Sequence, residues 1–415
     1  MIVINIIQAL LLIPIGFFIF YLAALTMLAL MRKEKQSFPS NRTRRFAVVV
    51  PAHDEALVIE TTLKSLRGLD YPREQFDVVV VADNCNDETA ALALESGAVV
   101  YERTEPQLRG KGYALRWCFD RLLNHRPGYD AFIVIDADSV VSKNFLAVMN
   151  HYLESGARVI QCADFADAGS QSWIAEVIGL SFLLYNFVRP LGRSVIGCSA
   201  GLRGNGMCFA SEVLTEVPWS SFSLNEDLEY GLELLLKGVS VRFAPEAQVF
   251  AKMPQNEGNA RSQRVRWEAG RFPIMRRYGL KLVGAAFSSR SFKLFDAFVD
   301  LMTPSLVNML AIASGMFALN LLMVFVGGQS AIAFMILWMG VLALGVIHVT
   351  VGIVAAKAKV STLLSLLHVP RYFFWKLKLY IGLGRSGTDS GGWIRTTREA
   401  PGRDLQQKRS FDKNK

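Results

Sequence analysis

Residues 2–31, 301–326 and 331–356 carry no charged side chain. At about 1.5 Å per helical residue, each stretch can cross roughly 30 Å of hydrocarbon. The pattern predicts three membrane-spanning helices, one within 1–32 and a hairpin of two within 300–356. Gly327, Gly328, Gln329 and Ser330 supply the short polar link of that hairpin. A cleaved signal sequence would need a basic start, a shorter apolar core and a small-residue cleavage site. Residues 1–32 have none of these, so the first span is expected to stay in place. Arg32, Lys33, Lys35, Arg42, Arg44 and Arg45 follow it, and Lys357 and Lys359 follow the third span. Positive charge marks the cytoplasmic side. The expected topology is multi-pass in a bacterial-type cytoplasmic membrane, with the N-terminus outside and residues 45–258 inside.

Residues 45–258 alternate short β-rich runs with helical patterns. Strands are predicted at 46–51, 76–82, 99–103 and 131–135, and helices at 56–66 and 112–123. Continuous apolar runs such as Val48-Val49-Val50 and Val78-Val79-Val80-Val81 suit parallel strands covered on both faces. The expected fold is therefore α/β. Residues 259–299 are amphipathic and basic, with Arg261, Arg264, Arg266, Arg271, Arg276 and Arg277 among their charges. Residues 360–415 begin in a similar way, with Tyr372, Phe373 and Trp375 set among Arg371, Lys376 and Lys378. Both segments predict helices lying in the membrane interface, the second running into a basic tail.

The composition agrees. Of 415 residues, 52 % are hydrophobic and 20 % charged, which excludes a disordered chain. Mean hydropathy is +0.28, high for a soluble enzyme. Most of the net charge of +9 sits in the C-terminal tail, where anionic membrane lipid is the expected partner. No helix-turn-helix or aromatic-interleaved basic pattern accompanies it, so nucleic acid is not an expected partner. The five cysteines are widely spaced and form no CxxC, which fits a reducing compartment without a disulfide framework or zinc site.

Open α/β sheets bind ligands beyond the carboxyl ends of their strands. Three predicted strands end in acidic residues: at His53-Asp54-Glu55 after Pro51, at Asp83-Asn84, and at Asp136-Ala137-Asp138. Side chains at i and i+2 on an extended chain point the same way. Asp136 and Asp138 would therefore repel each other unless a cation lay between them. Carboxylates that share a hard cation with substrate phosphates describe a Mg2+ or Mn2+ site. Arg109-Gly110-Lys111-Gly112 opens a helix, where backbone N–H groups and Lys111 can approach an anion. Asn225-Glu226-Asp227 opens another, placing two candidate general bases, Glu226 and Asp227, in its first turn. Gln263, Arg264, Arg266 and Trp267 combine groups that hold diphosphate and stack on sugar.

The ordered set Asp83, Asp136-Ala137-Asp138, Glu226-Asp227 and Gln263-Arg264-Val265-Arg266-Trp267 resembles the D, DxD, (T/E)D, QxxRW series of membrane-bound family 2 glycosyltransferases. That group includes cellulose, chitin and hyaluronan synthases. The resemblance implies a Rossmann-like GT-A glycosyltransferase domain and a nucleotide-diphosphate-sugar donor, with a UDP-sugar expected. It implies donor contacts from Pro51, His53, Glu55, Asp83, Lys111 and Asp136, and metal contacts from Asp138 with Asp136. Asp227 becomes the base that deprotonates the acceptor. Gln263, Arg264, Arg266 and Trp267 become the acceptor and diphosphate side. Trp393 and Arg398, within Trp393-Ile394-Arg395-Thr396-Thr397-Arg398, resemble a gating segment with longer spacing.

The chain departs from the polymerising synthases in two ways. It has fewer predicted spans, and Gly201-Leu202-Arg203-Gly204-Asn205-Gly206-Met207-Cys208 replaces their usual acceptor-contacting loop. Inverting transfer to a lipid-linked or growing glycan acceptor is the preferred expectation. Processive polysaccharide synthesis is the close alternative, and an inactive membrane scaffold is the alternative of another class. Few spans also make a separate export partner plausible.

Overall fold

A computed structural model describes residues 2–32, 37–124, 128–167, 172–253, 257–326 and 329–385. Helix α1 (Ile2–Leu30) leads into an eight-stranded sheet with strand order β3-β2-β1-β4-β7-β6-β8-β5. The strands are β1 (Phe46–Ala52), β2 (Phe76–Asp83), β3 (Val99–Arg103), β4 (Ala131–Val134), β5 (Ser139–Val141), β6 (Val159–Ala166), β7 (Met207–Ala210) and β8 (Val241–Ala251). Between them run α2 (Ile59–Arg67), α3 (Thr89–Glu95), α4 (Lys111–Leu122), α5 (Phe145–Glu154), α6 (Trp173–Phe182), α7 (Arg189–Val195), α8 (Ser211–Glu216) and α9 (Glu226–Leu236). The chain continues as α10 (Glu257–Ser288), α11 (Phe292–Met302), α12 (Leu306–Phe325), α13 (Gln329–Ala355) and α14 (Val369–Arg385).

The four strands expected from their apolar runs form, and β3, β2, β1 and β4 pair in parallel. The sheet as a whole is mixed, which corrects the expectation of a parallel sheet. Strand β7 runs antiparallel to both β4 and β6, and β5 antiparallel to β8. Parallel order ends at β4 because β7 is inserted beside it in the opposite direction. Helix α2 starts at Ile59, three residues later than expected, after a turn in which Asp54 takes a left-handed φ of 52°. Asn84 does the same after β2, at 51°. Asp and Asn tolerate this region better than other residues with a Cβ.

Valines 49, 79 and 81 face a core completed by α4, α9 and the α6–α7 segment, into which Val349 and Ile353 of α13 also pack. Valines 48, 50, 78 and 80 face the opposite core, against α2 and α5. The first core therefore joins the polar domain directly to the apolar helices.

Among the described residues four helices, not three, are long and apolar enough to cross a membrane: Val3–Leu30, Trp173–Val195, Leu306–Phe325 and Ser330–Ala355. The expected second span begins later than residue 301, because Pro304 separates α11 from α12. The fourth helix lies within the segment expected to be wholly polar-domain. It contains a π-helical turn at Leu183–Val188. Its most apolar window is 67 % buried in protein, against 17–22 % for the other three, so it packs inside rather than facing lipid.

Gly192 makes that packing possible. A Cβ there would lie 2.1 Å from the Leu25 carbonyl oxygen of α1. Beside this contact Arg193 pairs with Asp296 at 2.7 Å and Asp300 at 3.0 Å, and Arg189 pairs with Asp300 at 2.6 Å. Tyr21 of α1 donates to Asp296 at 2.8 Å. These buried groups lock α1, α7 and α11 together. Further along, Thr26 lies 2.6 Å from His348 Nδ1, and Asn320 donates to Gln8 at 2.5 Å. Such polar pairs fix helix register where apolar surface cannot discriminate.

Residues 259–299 form one long helix carrying Pro273 plus a separate short one. Phe272, Leu280, Phe287 and Phe292 are exposed along them. Lys33, Lys35, Trp393, Arg398 and the tail after residue 385 lie outside the described residues.

Gly192→Ala is expected to lower stability by about 1–3 kcal/mol through overpacking. Thermal unfolding in detergent checks this, and an unchanged midpoint would mean that α1 and α7 are not held this closely.

Candidate active site

The carboxyl ends of β1, β2, β4 and β6 open into one cavity of about 1400 Å³. Pro51, His53, Glu55, Asp83, Lys111, Asp136, Asp138, Glu226, Asp227, Gln263, Arg264, Arg266 and Trp267 all line it. The structure thus gathers every described candidate residue around a single space. The cavity also reaches Leu22, Leu310, His348 and Val349, which belong to the apolar helices.

At the β2 end, His53 Nδ1 sits 2.6 Å from the Asp83 carbonyl oxygen. Arg103, directly opposite Asp83 on β3, donates to the buried Asp83 carboxylate, as does Asn84 at 3.0 Å. Burial raises the Asp83 carboxyl, and Arg103 offsets only part of the rise. Asp83 is a fixed acceptor at the edge of the cavity, suited to a ligand N–H or O–H.

Lys111 is the local counter-charge. Its Nζ donates to Asp136 and to the Gly204 carbonyl oxygen, each at 2.5 Å. Burial alone would lower its pKa, but Asp136, Glu226 and Asp227 outweigh burial and raise it. The Asp136 backbone N–H donates to Asn205 Oδ1 at 3.1 Å, and Asn205 donates to Ser139 at 2.9 Å. Ser139 in turn donates to Asp138 at 3.2 Å. The Asp136–Asp138 turn is therefore held from beneath by Asn205.

Asp164, at the end of β6, was not among the residues expected. It is buried, accepts from Asn186 at 3.2 Å, and has its second oxygen without a hydrogen-bond partner. Burial, then the charges of Asp136 and Asp138, push its carboxyl well above the usual range. A register shift between Cys162 and Ala163 immediately precedes it. The signal was present in outline, because β6 ends in an acidic residue as β2 and β4 do. Gln161 and Cys162 interrupt its apolar run and hide the strand. Asp136, Asp138 and Asp164 all present carboxylate oxygens to this cavity, the donor type a hard divalent cation takes.

Asp227 packs against Gly204. A Cβ at Gly204 would approach its Oδ2 to 3.2 Å, and Gly204 has a φ of 84°, so only glycine fits comfortably there. Burial raises the carboxyls of both acids, Glu226 up to about 7 with Asp227 as the next contributor. Arg203 and Lys111 pull Asp227 back down. The two acids form one coupled carboxyl pair whose members are both raised by burial.

The long helix α10 docks onto this unit. Asn225 Nδ2 donates to the Trp267 carbonyl oxygen at 3.0 Å, and a Cβ at Gly270 would meet Asn225 Oδ1 at 3.0 Å. The Trp267 ring lies 5.6 Å from Phe182, centroid to centroid. Gln263 Oε1 is buried without a hydrogen-bond partner. Arg264 is committed to Glu268 at 2.9 Å and lies over Tyr372, while Lys376 of α14 reaches the same Glu268 at 2.8 Å. Arg266 also lines the cavity.

Known proteins are similar to this chain in sequence or in fold. Residues 131–347 match the model described as glycosyl transferase family group 2, and residues 47–203 match that of glycosyl transferase family 2. A probable glycosyltransferase of Bacillus subtilis, YdaM, is 26 % identical over 243 residues, covering 54 % of this chain and 55 % of that protein. A poly-beta-1,6-N-acetyl-D-glucosamine synthase of Staphylococcus aureus is 23 % identical over 243 residues, covering 55 % of each. The chain thus spans about half the length of these curated relatives. Among solved structures, the mannosyltransferase PcManGT from Pyrobaculum calidifontis, in complex with GDP-Man and Mn2+, superposes with a TM-score of 0.51. It is 16 % identical and covers 84 % of this chain and 99 % of its own, a likeness of fold. With a family model matching more than half of its residues over this sheet and site, the chain belongs to glycosyl transferase family 2.

Proposed function

We propose that this chain transfers a sugar, with inversion, from a nucleotide-diphosphate-sugar to a lipid-linked acceptor at the cytoplasmic face of a membrane. The observation that carries the reading is the continuity of the cavity. One end is walled by Asp83, Asp136 and Asp138, and the other by Leu22, Leu310 and Val349 of the apolar helices. A polar donor and an apolar acceptor can enter from opposite ends and meet beside Asp227.

In this reading Asp83 and His53 border the nucleotide base, and Lys111 approaches the diphosphate. Asp136, Asp138 and Asp164 would hold Mg2+ or Mn2+, which would neutralise charge on the leaving diphosphate. Arg266 adds a second positive charge on the same side. Asp227 accepts the proton from the acceptor hydroxyl as its oxygen attacks the anomeric carbon. Trp267 offers a ring face to the sugar. Arg32, at the end of α1, pairs with Glu246 at 3.0 Å and donates to Tyr152 at 2.7 Å, fixing the domain against the membrane boundary. Arg32, Arg42, Arg44 and Lys357 all flank the membrane on the domain's side, which supports a cytoplasmic position.

The direct test incubates the purified chain in lipid with Mn2+ or Mg2+ and a panel of UDP- and GDP-sugars. Released nucleoside diphosphate is measured with and without membrane lipid extract. Release that requires the extract supports the proposal. Release without it, with a growing high-mass product, supports processive synthesis instead. Binding of nucleotide without any release supports the scaffold alternative.

Asp227→Asn is expected to lower kcat by roughly 10²–10⁴ while nucleotide binding persists. Steady-state kinetics with nucleotide titration checks this, and near-normal turnover would remove Asp227 from the base role. For wild type, protonation of Asp227 removes the base, and burial raises its carboxyl. kcat/KM should therefore fall on acidification with a midpoint above that of an exposed aspartate, and a kcat/KM that stays constant down through the ordinary aspartate range would contradict that assignment.

A further inference from the structure

Helix α10 brings Gln263, Arg266 and Trp267 to the cavity wall. Asn225 ties this turn to the start of α9 on one side. On the other side it is held by α14. Arg264 and Glu268 bracket Arg266 and Trp267 and pair with each other across one helical turn at 2.9 Å. Lys376 of α14 reaches the same Glu268 at 2.8 Å and donates to the Ser305 hydroxyl, just ahead of α12, at 2.9 Å. Its side chain is buried, and a buried ammonium is tolerated only when it is paired and hydrogen-bonded. Tyr372, one turn before Lys376, is also buried, lies under Arg264 at 5.9 Å and stacks on Trp375. Arg371 pairs with Glu257 at the start of α10 at 3.2 Å and lies over Trp173 of α6 at 4.1 Å. Helix α14 is thus fastened to α10 at two places, to α6 and to the entrance of α12. Lys376 itself stands behind the cavity wall rather than on it.

We infer that Lys376 is a positioning residue: by holding Glu268 from α14, it fixes the Gln263–Trp267 turn so that Arg266 meets the donor diphosphate. The inference rests on the proposed role of Arg266 and adds the element that sets its position. Among the described residues, the charged and titratable groups facing Lys376 are Arg264 and Glu268 on α10 and Tyr372 on its own helix. Burial first, then Arg264, lower the Lys376 ammonium to about 8, and Glu268 offsets only part of the fall. Burial raises Tyr372, which therefore stays neutral at that pH. The Lys376–Glu268 ion pair is complete below about 8 and is lost as pH rises through that value. Arg264 then holds Glu268 alone, and α14 loosens from α10.

The test titrates UDP and GDP, with Mg2+, into the full-length protein in nanodiscs by calorimetry. Wild type is compared with Arg266→Gln, Lys376→Met and Lys376→Arg. At pH 7, Arg266→Gln and Lys376→Met should each weaken binding of the preferred diphosphate by about tenfold. Lys376→Arg should restore most of the affinity. Wild-type affinity should fall as pH rises through about 8, and Lys376→Arg should remove that fall, because a guanidinium does not deprotonate in this range. Lys376→Met exchanges a buried charge for an apolar chain of similar length and leaves Glu268 paired with Arg264. Such exchanges are often neutral for stability, so its thermal midpoint should hold while its affinity drops. Wild-type affinity in Lys376→Met beside weakened binding in Arg266→Gln would overturn the inference and leave the role of Arg266 intact. If Lys376→Met does not fold, the pH profiles decide. A wild-type affinity constant from pH 7 to 9, or a fall that persists in Lys376→Arg, would overturn the inference. Wild-type affinity in Arg266→Gln would overturn the role of Arg266 and the inference with it.

Discussion

Five carboxylates, Asp136, Asp138, Asp164, Glu226 and Asp227, converge on one end of a buried cavity, and Lys111 is their nearest counter-charge. Burial raises Asp164, Glu226 and Asp227, and neighbouring carboxylates add to the rise at Asp164 and Glu226. The protein holds them together through strand ends and backbone. Asn205 supports the Asp136–Asp138 turn, Gly204 leaves room for Asp227, and Asn225 ties the α9 start to Trp267. In the proposed function, a cation and a phosphate-bearing ligand would complete this arrangement and relieve the repulsion between its carboxylates.

The membrane-side half of the molecule solves the opposite problem. Arg189 and Arg193 stand in a helix otherwise apolar enough to span a bilayer. Their charges are tolerable because Asp296 and Asp300, about a hundred residues later, fold against them. Breaking such a buried pair typically costs about 3–5 kcal/mol. The same network carries α7 against α1 at Gly192 and places Arg203 and Arg271 at the cavity wall.

Much of the site was legible because its residues follow apolar strands or open helices, where local pattern and chemistry coincide. Asp83 and Asp136 come directly after runs of valine and isoleucine, and Glu226-Asp227 begins a helix whose inner face is leucine-rich. The three lipid-facing helices were legible from the absence of charge alone. What stayed hidden depended on distant partners. The antiparallel β7 is short, and only β4 and β6 on either side define it. The Trp173–Val195 helix was masked by two arginines whose partners are on α11. Asp164 was masked by the polar Gln161 before it, which donates to the Asn205 carbonyl and accepts from the Arg203 N–H. In each case a polar residue that looks unfavourable locally is satisfied across the fold.

The claim on which everything else turns is that donor chemistry and membrane-embedded acceptor share one continuous cavity. A photo-crosslinking amino acid at Leu310, on the cavity wall of α12, tests it during turnover with radiolabelled donor sugar. Val346 on α13, 61 % exposed and away from the cavity, serves as the lipid-facing control. Labelled sugar–lipid cross-linked at position 310 and absent at position 346 is the expected result. Turnover that leaves position 310 unlabelled, with all label in water-soluble product, would contradict it.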